Sequence, residues 1–421
     1  MKRYFFGATL MCFLYLQESL NNAARATEKV CNVTNFGAKA NGIDKDTKAI
    51  QSAINNCAQA GGGIVQVPSG KYLIDPIFLK SRVTLFIDKG AVLLASQNPF
   101  AYKATTSSTS NSLALVNAVN QSDIAIAGQG TIDGAGAAWW NAVRVAKKTQ
   151  KSEIVRPRLV VFSHCQRVLV AGITLMNSPS FHLVPMYSDY VTVKDVTIKA
   201  PPNSPNTDGI DPSSSHHVWI SHCMIDNGDD NIAIKSGHID PAYPHAGSAD
   251  ITISNCTFLH GHGVSIGSET SGGVRNIIVE NCNFIGTQNG LRIKSLRGKG
   301  GIVENIIYRN IQMQDVSQAI TFTSYYPKIP QQDKRQPITV NTPIFHDISI
   351  KNLVAKGGKN AGIIVGLPEK SLFNIALNNI NIVAQTGIFV RNATIKTSNV
   401  QIYPQQGRAF VLENQGHILA R

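Results

Sequence analysis

The 421-residue chain is short of charge, of aromatic side chains and of helix signals. Only 15% of its residues are charged and 7% aromatic, against 43% hydrophobic. That balance excludes a disordered chain and provides for a sizeable core. Acidic residues are the scarcer charge: 26 Asp and Glu stand against 39 Lys and Arg, for a net +13 and a pI of about 9.4. A basic surface suits a polyanion (nucleic acid, an acidic membrane or an acidic glycan) or serves solubility alone, and charge does not choose among these. Cysteine is sparse, at seven, and no two are spaced CxxC as a zinc or redox motif would have them. Beyond the N-terminal leader there is no apolar run of the roughly 20 residues that a membrane span needs, no low-complexity stretch and no linker.

The leader itself has the form of a secretory signal. Lys2 and Arg3 precede a short apolar run, Phe5 to Leu16, and Ala24-Arg25-Ala26 offers small residues for cleavage. Residues 1–26 are therefore expected to be removed, and a single domain, 27–421, to form the mature protein. Losing three basic residues and one acidic residue leaves it at +11. Export favours an oxidising compartment, where Cys31 and Cys57 are placed to pair. Cys165, Cys223, Cys256 and Cys282 instead follow polar residues in SHC, SHC, SNC and ENC, a repeat-like setting that predicts buried free thiols.

One helix is signalled early. Asp46 or Thr47 caps it, Ala49, Ile50, Ala53, Ile54 and Cys57 form its apolar face, and Gly61-Gly62-Gly63 stops it. Such a helix suits a plug at the end of a larger body. After it come short β-branched runs separated by Gly, Asn, Asp and Ser, with almost no helical periodicity. Six runs share one form, with His222, Asn255, Asn281, Asn310, Asn352 and Asn379 at the common polar position, 26 to 42 residues apart. Short strands at that period mark a solenoid, whose coils bury their apolar faces only by stacking. The leucine-rich consensus is missing. The fold expected is all-β: a right-handed, single-stranded parallel β-helix with a short N-terminal capping helix.

A second repeat carries the chemistry. Asp208-Gly209-Ile210-Asp211, Asp230-Asn231-Ile232-Ala233, His262-Gly263-Val264-Ser265 and Asn289-Gly290-Leu291-Arg292 align. Gly or Asn at the second position implies a bend with positive φ before each strand, and the apolar third position faces the core. The first position then brings Asp208, Asp230, His262 and Asn289 into one column, with coils roughly 4.7–4.9 Å apart. Arg292 and Lys294 alternate with core Ile293 and point outward together. Glycoside hydrolysis needs two carboxyl functions about the scissile bond, and Asp208, Asp229 and Asp230 lie within one coil step. Crowding predicts that at least one keeps a raised pKa and serves as an acid. A cationic floor beside them selects an anionic sugar. Turn capping or a calcium site also explains clustered carboxylates, but neither explains His262, Arg292 and Lys294 on the same face.

The segments NTDG (206–209), GDD (228–230), GHG (261–263) and RIK (292–294) resemble, in order and spacing, the four signature motifs of the polygalacturonases, glycoside hydrolase family 28, and their surroundings resemble its bacterial branch. The likeness runs from VTNFGA at Val33 through VPSGKYL, GTIDGAGAAWW and NSPSFHLV to Tyr326. It implies hydrolysis of α-1,4-galacturonosyl linkages in polygalacturonate or pectin by an inverting single displacement; endo action is expected in preference to exo action because no extra N-terminal module is evident. By the same resemblance Asp229 is the general acid, Asp208 and Asp230 activate the water, and His262 tunes the acid. Arg292 and Lys294 hold galacturonate carboxylates, and Asn206 lines a subsite. Tyr326 is the substrate-binding tyrosine, with Tyr325 competing for that register. His182 either lines the cleft or is a packed histidine. No cofactor, no metal and no nucleic-acid or membrane partner is expected for the secreted mature monomer. Two competing readings share the fold: a Ca²⁺-dependent pectate lyase and a non-catalytic glycan-binding solenoid.

Overall fold

The computed structural model describes residues 29–103, 112–150, 155–237 and 247–420; the expected leader falls outside them. Among the described residues the chain winds into a parallel β-helix. Each strand pairs in parallel with the equivalent strand of the next coil, and three ladders run along the molecule. One links Val65, Leu85 and Ile126 through Ile220 and Tyr308 to Leu377. A second links Tyr72 through Ile225, Phe258 and Phe284 to Ile382. The third links Ile77, Val116, Val160, Leu183, Ile210, Ile232, Val264, Leu291, Ile320, Gly362 and Ile388. The named side chains turn inward because strand residues alternate between faces, and like stacks on like in one continuous core. Burying a Val, Leu, Ile or Phe contributes roughly 1.5–3 kcal/mol each, so the repeated apolar position holds the fold.

The shared polar position is the bend that joins the first ladder to the second. His222, Asn255, Asn281, Asn310, Asn352 and Asn379 all have φ between 53° and 57°. Asparagine tolerates that left-handed geometry better than other non-glycine residues. Its side chain then bonds along the stack: Asn310 to Asn281 at 2.9 Å, Asn352 to Asn310 at 2.9 Å and Asn379 to Asn352 at 2.8 Å. The 42-residue step before Asn352 is long because it contains the excursion 324–343 between two coils.

Helix α1 (Thr47–Gln59) packs its apolar face on the first coils, and Cys31–Cys57 is a disulfide. Asp46 precedes the helix but does not cap it through its side chain. Its carboxylate instead accepts from the amides of Lys39 (2.6 Å) and Ala40 (3.1 Å), holding the preceding loop. A second helix escaped the sequence reading. Helix α2 (Ala137–Lys148) buries Trp140, Val143 and Ala146 at helical spacing, and the Trp140 indole donates to the Ser178 carbonyl at 3.0 Å. The four remaining cysteines of the described chain are buried free thiols. They are not one series. Cys223, Cys256 and Cys282 occupy the bend between the first two ladders, whereas Cys165 lies between the third ladder and the first.

Candidate active site

The outward face of the third ladder forms the site. Counting two residues back from its inward side chains gives one row on successive coils: Arg158, Phe181, Asp208, Asp230, His262, Asn289 and Gln318. Counting one residue forward gives Asp211, Ala233, Ser265, Arg292 and Thr321; counting three forward gives Ser213, Lys235, Lys294 and Thr323. The rows line a cleft of about 350 Å³ with walls that include Arg158, Phe181, Met186, Asn206, Asp208, Asp211, Asp229, Asp230, Lys235, Glu269, Lys294 and Tyr326.

The expected bend with positive φ occurs at Gly263 alone, with φ +71°. Gly209 and Gly290 are required by proximity instead. A Cβ on Gly209 would lie 2.4 Å from the Asn231 carbonyl oxygen, and one on Gly290 would lie 2.3 Å from the Met313 methyl. Asn231, in the same row, is buried. Its amide donates to the carbonyls of Leu259 (3.2 Å) and His260 (2.9 Å) and accepts from Gly263 N–H (2.8 Å), which ties the Asp230 coil to the His262 coil.

Asp230 is the most firmly held carboxylate. Its Oδ2 accepts from Lys294 Nζ at 2.6 Å; its Oδ1 accepts from Ser265 Oγ at 2.8 Å and Arg292 Nη1 at 3.2 Å. Burial opposes its charge, but Lys294 and Arg292 outweigh it and hold the pKa at about 2. Asp229 accepts from its neighbour's amide at 2.9 Å and lies 3.1 Å from His262 Nδ1. Burial would raise it, yet the His262 hydrogen bond and Lys294 leave it below the ordinary value. Asp208 goes the other way: burial, with Asp211 beside it, lifts its pKa well above the carboxylate range, despite Lys235. Burial likewise moves Asp211 to about 7, against the pull of Lys235. Crowding and burial thus raise Asp208 and Asp211, not Asp229, the residue expected to be the acid. Asp229, Asp230 and His262 have ligand atoms close enough for a metal ion, but both oxygens of Asp230 already serve Lys294, Arg292 and Ser265.

Asp208, Asp229, Asp230 and Lys294 therefore share one cleft, with His262 against Asp229 and Arg292 against Asp230 beside it. Tyr326 joins them: Lys294 Nζ lies 5.1 Å and Arg292 Cζ 5.7 Å from its ring centroid. Tyr325 turns away, and its hydroxyl donates to Asp333 at 2.6 Å. Asn206 lines the cleft and accepts from Arg156 at 2.8 Å. His182 does not line it. The ring is 0% exposed, accepts from Ser178 N–H at 3.3 Å and donates through Nδ1 to the Asp208 carbonyl at 3.0 Å. Burial holds its pKa down at about 4, so it is a neutral bolt beneath the Asp208 coil. It occupies the inward row of Gly209 and Asn231, and the preceding Phe181 takes the cleft row.

Among the cleft residues that were missed are Arg158, Phe181, Asp211 and Lys235. The signal was available. Aligning Phe181-His182-Leu183 and Arg158-Leu159-Val160 with Asp208-Gly209-Ile210 extends the row by two coils. The alternation applied to Arg292 and Lys294 in LRIK applies equally to Lys235 in IAIK and to Asp211 after Ile210.

The sequence model of Glycosyl hydrolases family 28 matches residues 57–404. The chain is 34% identical over 369 residues to an endo-polygalacturonase of Pectobacterium carotovorum subsp. carotovorum, covering 83% of this chain and 87% of that one. Its fold superposes on an exopolygalacturonase of Thermotoga maritima with a TM-score of 0.79 at 27% identity, over 89% of this chain and 92% of that one. With the polygalacturonase of Erwinia carotovora ssp. carotovora the TM-score is 0.70 at 30% identity, over 92% and 97% of the two chains. Matched along most of its length and in fold, the chain belongs to glycosyl hydrolases family 28.

Proposed function

We propose that the protein is a secreted polygalacturonase that cuts α-1,4-galacturonosyl linkages within polygalacturonate by an inverting single displacement. The observation that carries this reading is the meeting, in one cleft, of three aspartates with Lys294 and Tyr326, and Arg292 bonded to Asp230 beside them. The cations supply charge for a uronate carboxylate and Tyr326 a ring for the sugar. Asp229 protonates the leaving oxygen while Asp208 and Asp230 hold the attacking water. In the free cleft Asp229 sits below its ordinary pKa partly because of Lys294. A galacturonate carboxylate on Lys294 cancels that field, and burial then favours the protonated form that donates. Internal cutting is supported by the endo-acting relative that shares 34% of residues. Secretion rests on the leader 1–26, and no helix among the described residues is long and apolar enough to cross a membrane.

The test is reducing-end release from polygalacturonate, with the anomer of the new end followed by NMR. The native protein is expected to yield a ladder of oligomers and the inverted β-anomer, without dependence on chelator. Asp229→Asn is expected to lose about 10²–10⁴-fold in kcat. Near-native turnover by that variant, or unsaturated products, defeats the assignment.

A further inference from the structure

We propose that Lys235 and Asp211 are positioning residues that act through Asp208, sharing one proton between two carboxyls so that Asp208 is the ionised, water-facing member during turnover. This rests on the hydrolase reading above and adds to it two residues outside the signature motifs' catalytic set. The geometry is a buried triad. Lys235 Nζ stands almost midway, 3.8 Å from Asp208 Oδ2 and 3.7 Å from Asp211 Oδ2. The two carboxyls are 3% and 1% exposed. Asp208 Oδ1 and both oxygens of Asp211 are buried and accept no hydrogen bond from the protein. Buried carboxylate oxygens without donors are costly unless a proton, a water or a substrate hydroxyl meets them.

Asp230 is less available for this task. Its oxygens are taken by Lys294, Arg292 and Ser265. Asp208 lines the cleft and accepts no hydrogen bond on Oδ1, so its carboxyl is the group placed to receive the proton of water. The step balances as follows: the water oxygen bonds to the anomeric carbon, and the glycosidic C–O bond breaks with its electron pair on the leaving oxygen. That oxygen takes the Asp229 proton, and the water proton passes to Asp208.

The charge around the triad explains why one ammonium serves two carboxyls. Asp208 faces Asp211 and Lys235 across the cleft floor and feels Asp229 and Asp230 from the next coil. Arg158 faces both Asp208 and Asp211 from the other side, Glu269 faces Lys235, and neutral His182 sits under the Asp208 carbonyl. An anion already stands at Asp230 on the next coil, so a further pair of full charges is disfavoured and one proton stays. With that proton on Asp211, Lys235 stabilises the Asp208 carboxylate; with it on Asp208, the base is lost.

The experiment is the pH profile of kcat/KM on oligogalacturonate for the native protein, Asp211→Asn, Lys235→Met and Lys235→Arg. In Asp211→Asn the competing carboxylate is gone, Asp208 faces Lys235 alone, and the acidic limb is expected to move down by about one pH unit. In Lys235→Met the limb is expected to move up by a similar amount, with kcat reduced, and Lys235→Arg is expected to return it toward the native position. A Lys235 that only grips substrate carboxylate would raise KM and leave the limb in place, which overturns the proposal, as do shifts of the same sign in the first two variants. Should Lys235→Met fail to fold, Asp211→Asn carries the test, since Asp211 accepts no protein hydrogen bond that asparagine would break. Failure of the hydrolase reading itself appears separately, as turnover surviving Asp229→Asn.

Discussion

His182 illustrates how a single side chain serves the site without touching it. Its neutral ring bridges Ser178 N–H and the Asp208 carbonyl, so the backbone of the catalytic coil is fixed by a group that must stay uncharged. Its pKa falls from 6.5 to about 4 on burial. Unfolded chains therefore bind a proton below about pH 6.5 that the folded one refuses until about pH 4. Stability from this group is full above 6.5 and is lost as pH falls through that window. His182→Gln is expected to lose about 1–3 kcal/mol at pH 7, the cost of orphaning a buried polar group, and to lose less than the native protein on acidification to pH 4. Thermal unfolding at the two pH values checks both parts; an unchanged pH slope would return the histidine to a passive packing role. The sequence placed the residue in the right stretch but left its face open, because a motif carries no register. Only the neighbouring coils decide that Phe181, not His182, aligns with Asp208. Arg292 and Lys294 were legible because Ile293 between them fixed the face, and the same logic reaches Lys235 once Ile232 and Ile234 are read as core.

At the level of the strand and its bend, the repeat was readable because stacking makes one demand on every coil. An apolar residue must point inward, and a residue tolerant of left-handed geometry must follow. Helix α2 was not readable in that way, since a single excursion from the solenoid has no partner coil to repeat it; its buried Trp140, Val143 and Ala146 had to be seen in isolation. The bend residues separate two contributions that a contact list merges. Asn310 has φ 57°, donates to Asn281 at 2.9 Å and accepts from Asn352 at 2.9 Å. Replacing it by Gly keeps the backbone and removes the ladder; replacing it by Ala removes both. Exposed ladder bonds contribute about 0.5–1.5 kcal/mol each, and a left-handed alanine costs about 1–2 kcal/mol more. Asn310→Ala is therefore expected to be the less stable of the two by about 1 kcal/mol or more in denaturant unfolding. Equal destabilisation would mean that the backbone geometry costs nothing here and the side-chain ladder alone matters.

Over the whole molecule, the strands of each coil pair only with those of the coil above and the coil below, so stability sums largely over neighbours and the ends are the weak points. Among the described residues the N-terminal end has no coil beneath it. Helix α1 covers it with Ile50, Ile54 and Cys57, and the Cys31–Cys57 disulfide, spanning 26 residues, fastens that helix to the first strand. Such a link contributes about 2–4 kcal/mol, chiefly by restricting the unfolded chain. Asp208 lies on the fifth coil of the third ladder, counted from Ile77, roughly 19 Å along the stack at 4.8 Å per step. A fault at the cap therefore has to cross four interfaces before it moves a catalytic carboxylate. The double substitution Cys31→Ser and Cys57→Ser is expected to lower the melting temperature while leaving kcat at 25 °C within about twofold. The lost cap also makes fraying from the N-terminus the first unfolding event, so hydrogen exchange should accelerate at Val65 and Leu85 well before it does at Ile232 and Val264. Uniform acceleration along the stack, or kcat falling in step with stability, would mean that the coils unfold as one cooperative unit and that the cap governs the distant cleft.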